Sequence, residues 1–104
     1  MKSERAVVAA LLDRLFAERG LANAIRFGTQ QEGIRLPGAG GGPPIEAVSG
    51  FALAPDGMVY RFWLAWDDRT QRHVLQPFER LATLGVLADD PEYLAARRRL
   101  EERS

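Results

Sequence analysis

The sequence predicts an α+β fold in which an N-terminal helix packs on an antiparallel β-meander of three to five strands, followed by one or two C-terminal helices. Three observations predict it. Apolar residues recur at helical spacing over residues 4–19, the period drops to two between residues 25 and 76, and helix signals return after Pro77. The 104 residues are expected to form a single domain over 1–104, because a chain of this length holds one core and not two. With 46% apolar and 27% charged residues the composition is that of a globular chain, neither disordered nor fibrous.

The first helix is expected over residues 4–19. Ser3 is a good N-cap, Glu4 puts negative charge in the first turn, and Gly20 supplies a left-handed stop. At 100° per residue Val7, Val8, Leu11, Leu12, Leu15 and Phe16 share one broad face, with Asp13, Arg14 and Ala17 opposite, so this face needs a large flat partner. Ile25 and Phe27 then alternate with Arg26 and Gly28, and Ile34 and Leu36 flank Arg35. Thr29-Gln30-Gln31-Glu32-Gly33 between them reads as a turn, predicting a short hairpin. Residues 37–44, Pro-Gly-Ala-Gly-Gly-Gly-Pro-Pro, are read as a mobile loop, since neither glycine nor proline suits a helix or central strand.

Extended pattern resumes over Ile45–Ala54, and Pro55-Asp56-Gly57 is a turn with proline presetting its first central position. Met58–Trp66 is the clearest strand, Asp67–Arg72 a third turn, and His73–Gln76 a last strand, giving a meander of sequence-adjacent strands. Phe78, Leu81, Ala82 and Leu84, stopped by Gly85, predict a short helix. Asp90, Pro91 and Glu92 form an N-cap, an N1 proline and a first-turn acid, predicting a final helix from Pro91 to Glu102 whose apolar content, Tyr93, Leu94 and Leu100, is thin.

Composition excludes several function classes. Without cysteine there is no disulfide framework, thiol nucleophile or cysteine-bound metal. No apolar run reaches membrane length, and Met1-Lys2-Ser3-Glu4-Arg5 brings charge at once, so a cytoplasmic protein without a membrane partner is expected. Fourteen basic against fourteen acidic residues leave zero net charge, which argues against nucleic acid as a partner. Only Lys2 among the 14 basic residues is lysine, so 13 are arginine; a general compositional bias accounts for that without naming a partner.

The strand at 58–66 carries the main functional signal. Met58, Tyr60, Phe62, Leu64 and Trp66 make one face, plainly a core face. The other holds Val59, Arg61, Trp63 and Ala65 where a half-exposed sheet would be polar, so it too needs a cover: the C-terminal helices, a second copy of the chain, or a ligand or other partner. Arg61 and Trp63, side by side on that face and of the types enriched in binding hot spots, are the candidate interaction residues. The alternative for Trp63 is packing under the final helix with Arg61 reaching to water.

Other chemistry is weakly signalled. His73, the one histidine, starts a strand beside a charged turn and is expected to be exposed, although Asp67 or Asp68 could orient it as a base. The glycine loop has Pro43 where a dinucleotide fingerprint needs glycine, lacks Gly-Lys-Ser/Thr and precedes a strand, so phosphate binding is not expected there. Arg97, Arg98 and Arg99 lie within helical reach of Glu92, Glu101 and Glu102 and read as a solvated, ion-paired run. No serine lies in a nucleophile motif, no acid pair is set at catalytic spacing, and no cofactor or metal is implied. The function expected is therefore a small non-enzymatic interaction or regulatory domain that associates with another protein chain or with itself as a homodimer. The alternative is a small-molecule or catalytic pocket between the first helix and the sheet, with Arg26, Arg35, Arg61 and His73 as anion contacts.

Overall fold

A computed structural model describes residues 4–81 and 89–103. Helix α1 (Glu4–Glu18) is followed by strands β1 (Ile25–Leu36), β2 (Ile45–Leu53), β3 (Val59–Asp67) and β4 (Arg72–Leu81), and helix α2 (Pro91–Arg103) closes the chain. The strands form one antiparallel sheet in the order β1-β2-β3-β4. The predicted α+β architecture is the one observed.

α1 ends as its sequence dictates. Gly20 takes φ +74°, the Leu21 N–H donates to the Phe16 carbonyl at 2.8 Å and the Gly20 N–H to the Ala17 carbonyl at 3.0 Å, satisfying carbonyls that the last turn leaves open. Val8, Leu11, Leu12, Leu15 and Phe16 are buried against Val48, Ala52, Phe62, Leu64 and Leu75 of the sheet. Each such leucine or phenylalanine contributes about 1.5–3 kcal/mol by leaving water. Phe16 meets the Phe62 ring edge-on at 5.1 Å, and Gly50 makes room beneath Phe62, where a Cβ would stand 3.1 Å from the ring.

Two strand expectations are corrected. Residues 25–36 form one long strand, not a hairpin turning at 29–33. Folding that stretch on itself would make two very short strands, whereas running on lets it pair along the whole of β2, from Ile25↔Leu53 to Leu36↔Ile45. Its surplus residues are absorbed by register shifts between Phe27 and Gln30 and between Gln31 and Arg35, with Gly28 and Gly33 at φ +60° and +71°. Likewise β4 runs past Pro77 to Leu81, so Phe78–Leu81 is strand where a helix over 78–85 was expected; residues 82–85 of that helix lie outside the described residues. Pro77 falls in the register shift between Phe62↔Phe78 and Leu64↔Leu75, where a missing N–H costs no ladder bond. Phe78 is then held by Phe16 at 5.7 Å and Tyr60 at 5.2 Å. In the glycine loop, Ala39–Gly41 makes a short 3-10 turn, and Gly38 has no room for a Cβ against the Gly42 and Pro43 carbonyls.

α2 begins where predicted: the Asp90 carboxylate accepts from the Glu92 and Tyr93 N–H groups at 2.8 and 3.1 Å. Its buried residues are Tyr93 and Ala96, with Leu100 alongside, while Leu94 is exposed. They pack on Ile25, Phe27, Leu53 and Val59, on the sheet face opposite α1. Phe27 stacks on Phe51 at 5.4 Å and meets Tyr93 at 5.9 Å. Each helix thus covers its own face. No described helix is long and apolar enough to cross a membrane.

Gly28 tests the β1 bulge. A Cβ there would need the left-handed conformation and would stand 3.2 Å from both the Phe51 ring and the Glu92 carboxylate. Gly28→Ala is expected to lower unfolding free energy by about 1–2 kcal/mol in urea titration; undiminished stability would mean that the bulge does not fix this conformation. Asp90→Ala should cost about 1 kcal/mol through the lost cap, read in the same way.

Candidate functional site

Alternation along β3 sends Arg61, Trp63 and Ala65 to the face that α2 shares. The α2 cluster reaches Val59 on this strand and does not include Trp63. Beyond it, the exposed Arg61 guanidinium lies 4.1 Å from the centre of the Trp63 ring, and Trp63, Ala65 and Val74 are half-buried. Such a stack is worth about 0.5–1 kcal/mol at the surface and holds a side chain that would otherwise be free to rotate. Glu79 stands directly opposite Arg61 on β4. Among the described residues neither Arg61 nor Glu79 has an ion-pair partner.

His73 is not exposed, contrary to the sequence expectation: 2% of its surface is accessible. Its register opposite Trp66 turns it to the α1 face, where it meets the Trp66 ring edge-on at 4.9 Å. Arg14, Leu15 and Glu18 of α1, Arg19 just past its end, and Arg72 line a small cavity of about 110 Å³ beside it. Nε2 is buried and has no hydrogen-bond partner among the described residues. Burial, reinforced by the Arg14 charge, lowers the imidazole pKa from its ordinary 6.5, although the Pro37 carbonyl works the other way. Neither turn aspartate orients the ring. Asp67 accepts from the Arg69 N–H and the Thr70 hydroxyl, both at 3.0 Å, which hold its carboxyl below the usual range. Asp68 accepts from the Trp66 indole at 2.9 Å.

The remaining arginines named from sequence lie apart. Arg35 pairs with Glu4 at 3.0 Å and donates to the Pro44 carbonyl, while Glu4 also accepts from the Glu46 N–H at 2.9 Å. This network ties the end of the glycine loop to the start of α1. Arg26 pairs with Asp13 at 2.7 Å and lies over the Phe16 ring at 5.6 Å. Arg26, Arg35, Arg61 and His73 therefore do not line one cavity: they occupy the β1 edge, the loop end of β1, the second face and the first face near β4.

A larger concavity does exist elsewhere. A cleft of about 820 Å³ runs along the β1 edge between α1 and the last turns of α2. Ala9, Ala22 and Ala24 give it apolar lining, with the buried Val8, Leu12, Ile25 and Val48 behind them. Arg5, Arg26, Arg99 and Arg103 stand around it with Asp13. Of the Arg97–Arg99 run only Arg99 lines it. The spacing of Arg99 and Arg103, one helical turn apart beside the buried Ala96 and Leu100 stripe, was a legible sign of a shared face. The approach of Arg5 and Arg26 was not, because α1 and β1 meet α2 only in the folded chain.

Among the described residues no cluster of three or more histidine, aspartate or glutamate side chains is placed to hold a metal. Comparison with known protein families, with curated proteins and with solved structures found no match to this chain.

The buried imidazole makes stability pH-dependent. Because its folded pKa lies below its unfolded one, the unfolded chain binds the proton first; this stabilisation is complete above about pH 6.5 and is lost as pH falls through 6.5 toward the folded value. Urea titrations from pH 8 to pH 5 should show falling stability below pH 6.5, with a shallower fall in His73→Gln. Identical slopes in the two proteins would show that the imidazole is not the group responsible.

Proposed function

We propose that this chain is a non-enzymatic interaction domain that associates with a second copy of itself through the sheet face shared with α2, with Arg61 and Trp63 at the centre of the contact. The observation that carries the reading is the Arg61–Trp63 stack lying beyond the α2 cluster, next to an unpaired Glu79. A half-buried tryptophan with alanine and valine beside it supplies apolar area, and tryptophan and arginine are the side chains that most often dominate binding energy. The stack pre-orders the guanidinium, so less side-chain entropy is lost on association.

Charge selects the occupant. Arg61 and Glu79 are cross-strand neighbours of opposite sign, so the patch is complementary to its own copy: across a two-fold axis Arg61 of one copy meets Glu79 of the other, and the reverse. A small-molecule pocket built on Arg26, Arg35, Arg61 and His73 has less support, because those side chains do not converge. Nucleic acid has less again, since the chain has no excess positive charge.

Native mass spectrometry and sedimentation over a concentration series should detect a dimer. Arg61→Glu and Glu79→Arg should each weaken it about tenfold, and the double variant should restore it, because each charge again faces its opposite. Trp63→Asp should abolish the dimer while circular dichroism keeps its native form. A monomer at every concentration, or a double variant weaker than both single ones, overturns the reading. Unfolding of Trp63→Asp would assign Trp63 to the internal core.

A further inference from the structure

From the β1-edge cleft we infer a second, separate site: a pocket for a small organic phosphate whose body is apolar. The cleft's volume of about 820 Å³ lies in the range of small-molecule sites, which combine apolar walls with a few converging polar groups. Its lining comes from α1, the segment leading into β1, β1 itself, Val48 of β2 and the C-terminal half of α2, so it exists only when the chain is folded.

The electrostatics define the ligand's charge. Four arginines, Arg5, Arg26, Arg99 and Arg103, line the same cleft. Asp13 neutralises one of them, Arg26, at 2.7 Å. Arg103 donates to the Asn23 carbonyl at 3.4 Å, a contact that leaves its charge uncompensated and pins the end of α2 to the chain entering β1. Among the described residues Arg5 and Arg99 have no side-chain ion pair or hydrogen bond. Three positive charges with no ion-pair partner among the described residues surround one cleft and raise the local concentration of anions there. Guanidinium forks match phosphate oxygens two at a time, which makes a phosphomonoester a closer fit than a single carboxylate.

The apolar lining defines the rest. Ala9, Ala22 and Ala24, with the buried Val8, Leu12, Ile25 and Val48 behind them, offer no polar side-chain group to a sugar or base edge and suit an aliphatic or aromatic body. Thr29 and Gln31 at the rim supply neutral hydrogen-bonding groups beside the charged ones.

The test is calorimetric titration of the full chain with 1-naphthyl phosphate, with inorganic phosphate and 1-naphthol as its charged and apolar halves. Naphthyl phosphate should bind with one-to-one stoichiometry at least about tenfold more tightly than either half. Arg99→Gln and Arg103→Gln should each weaken it about tenfold. Arg98→Gln, an exposed change on the same helix outside the cleft, should leave it unchanged. Melting temperatures accompany each titration: a role confined to balancing the helix C-terminus would lower them without changing affinity. Absence of saturable binding, equal loss in Arg98→Gln, or phosphate binding as tightly as its naphthyl ester would each overturn the assignment. The dimer experiment bears on none of these residues, so the two readings fail independently.

Discussion

A four-stranded sheet that is apolar on both sides has to be covered twice, and the rest of this structure follows from how a short chain does so. α1 lays five buried side chains across one face, with Phe16 seated against Phe62. α2 has fewer apolar residues to spend and covers only the region of the second face around Ile25, Phe27, Leu53 and Val59. The inequality between the helices leaves Trp63 half-buried and Arg61 exposed, and it is what turns a packing arrangement into a candidate interface.

The same constraint explains the irregular β1 strand. Its first residues must alternate regularly, because Ile25 and Phe27 belong under α2 while Arg26 must reach Asp13 on α1. Farther along, pairing with β2 continues while residues 29–35 are exposed, and surplus residues enter as bulges around glycines with positive φ. Gly28 carries a double requirement, since its backbone conformation and the closeness of Phe51 both exclude a larger residue. β1 is also where α1 and α2 come nearest to a common site, so the arginine-lined cleft is a consequence of putting the two helices on opposite faces of one edge strand.

Burial, not residue type, decides what the polar side chains do. His73 begins a strand in a run of charged residues, yet its register opposite Trp66 carries it under α1, where desolvation lowers its pKa. Arg19, in the turn just past α1, is exposed, but its guanidinium donates to the Leu75 carbonyl at 2.7 Å and lies 4.5 Å from the Phe78 ring, clamping the helix end to β4. Arg35 works as a structural tie, whereas Arg61 stacks on Trp63 and has no ion pair among the described residues. These three arginines share the same intrinsic chemistry, and what faces each of them sets its role.

The sequence by itself determined the elements whose signals are local. The Gly20 stop, the Asp90-Pro91 start, the Pro55-Asp56-Gly57 turn and the two-sided apolarity of β3 are each written within a few residues, because capping, turn geometry and strand alternation act over that range. Tertiary structure decided what depends on pairing between distant segments. Whether residues 29–33 turned or ran on depended on β2, and whether Phe78 was helix or strand depended on Phe16 and Tyr60. Arg5, Arg26, Arg99 and Arg103 came together only when three elements separated in sequence packed around one edge. Local patterns encode backbone preference at a cost of about 1 kcal/mol per residue, whereas register and burial are fixed by the sum of many long-range contacts that no short window contains.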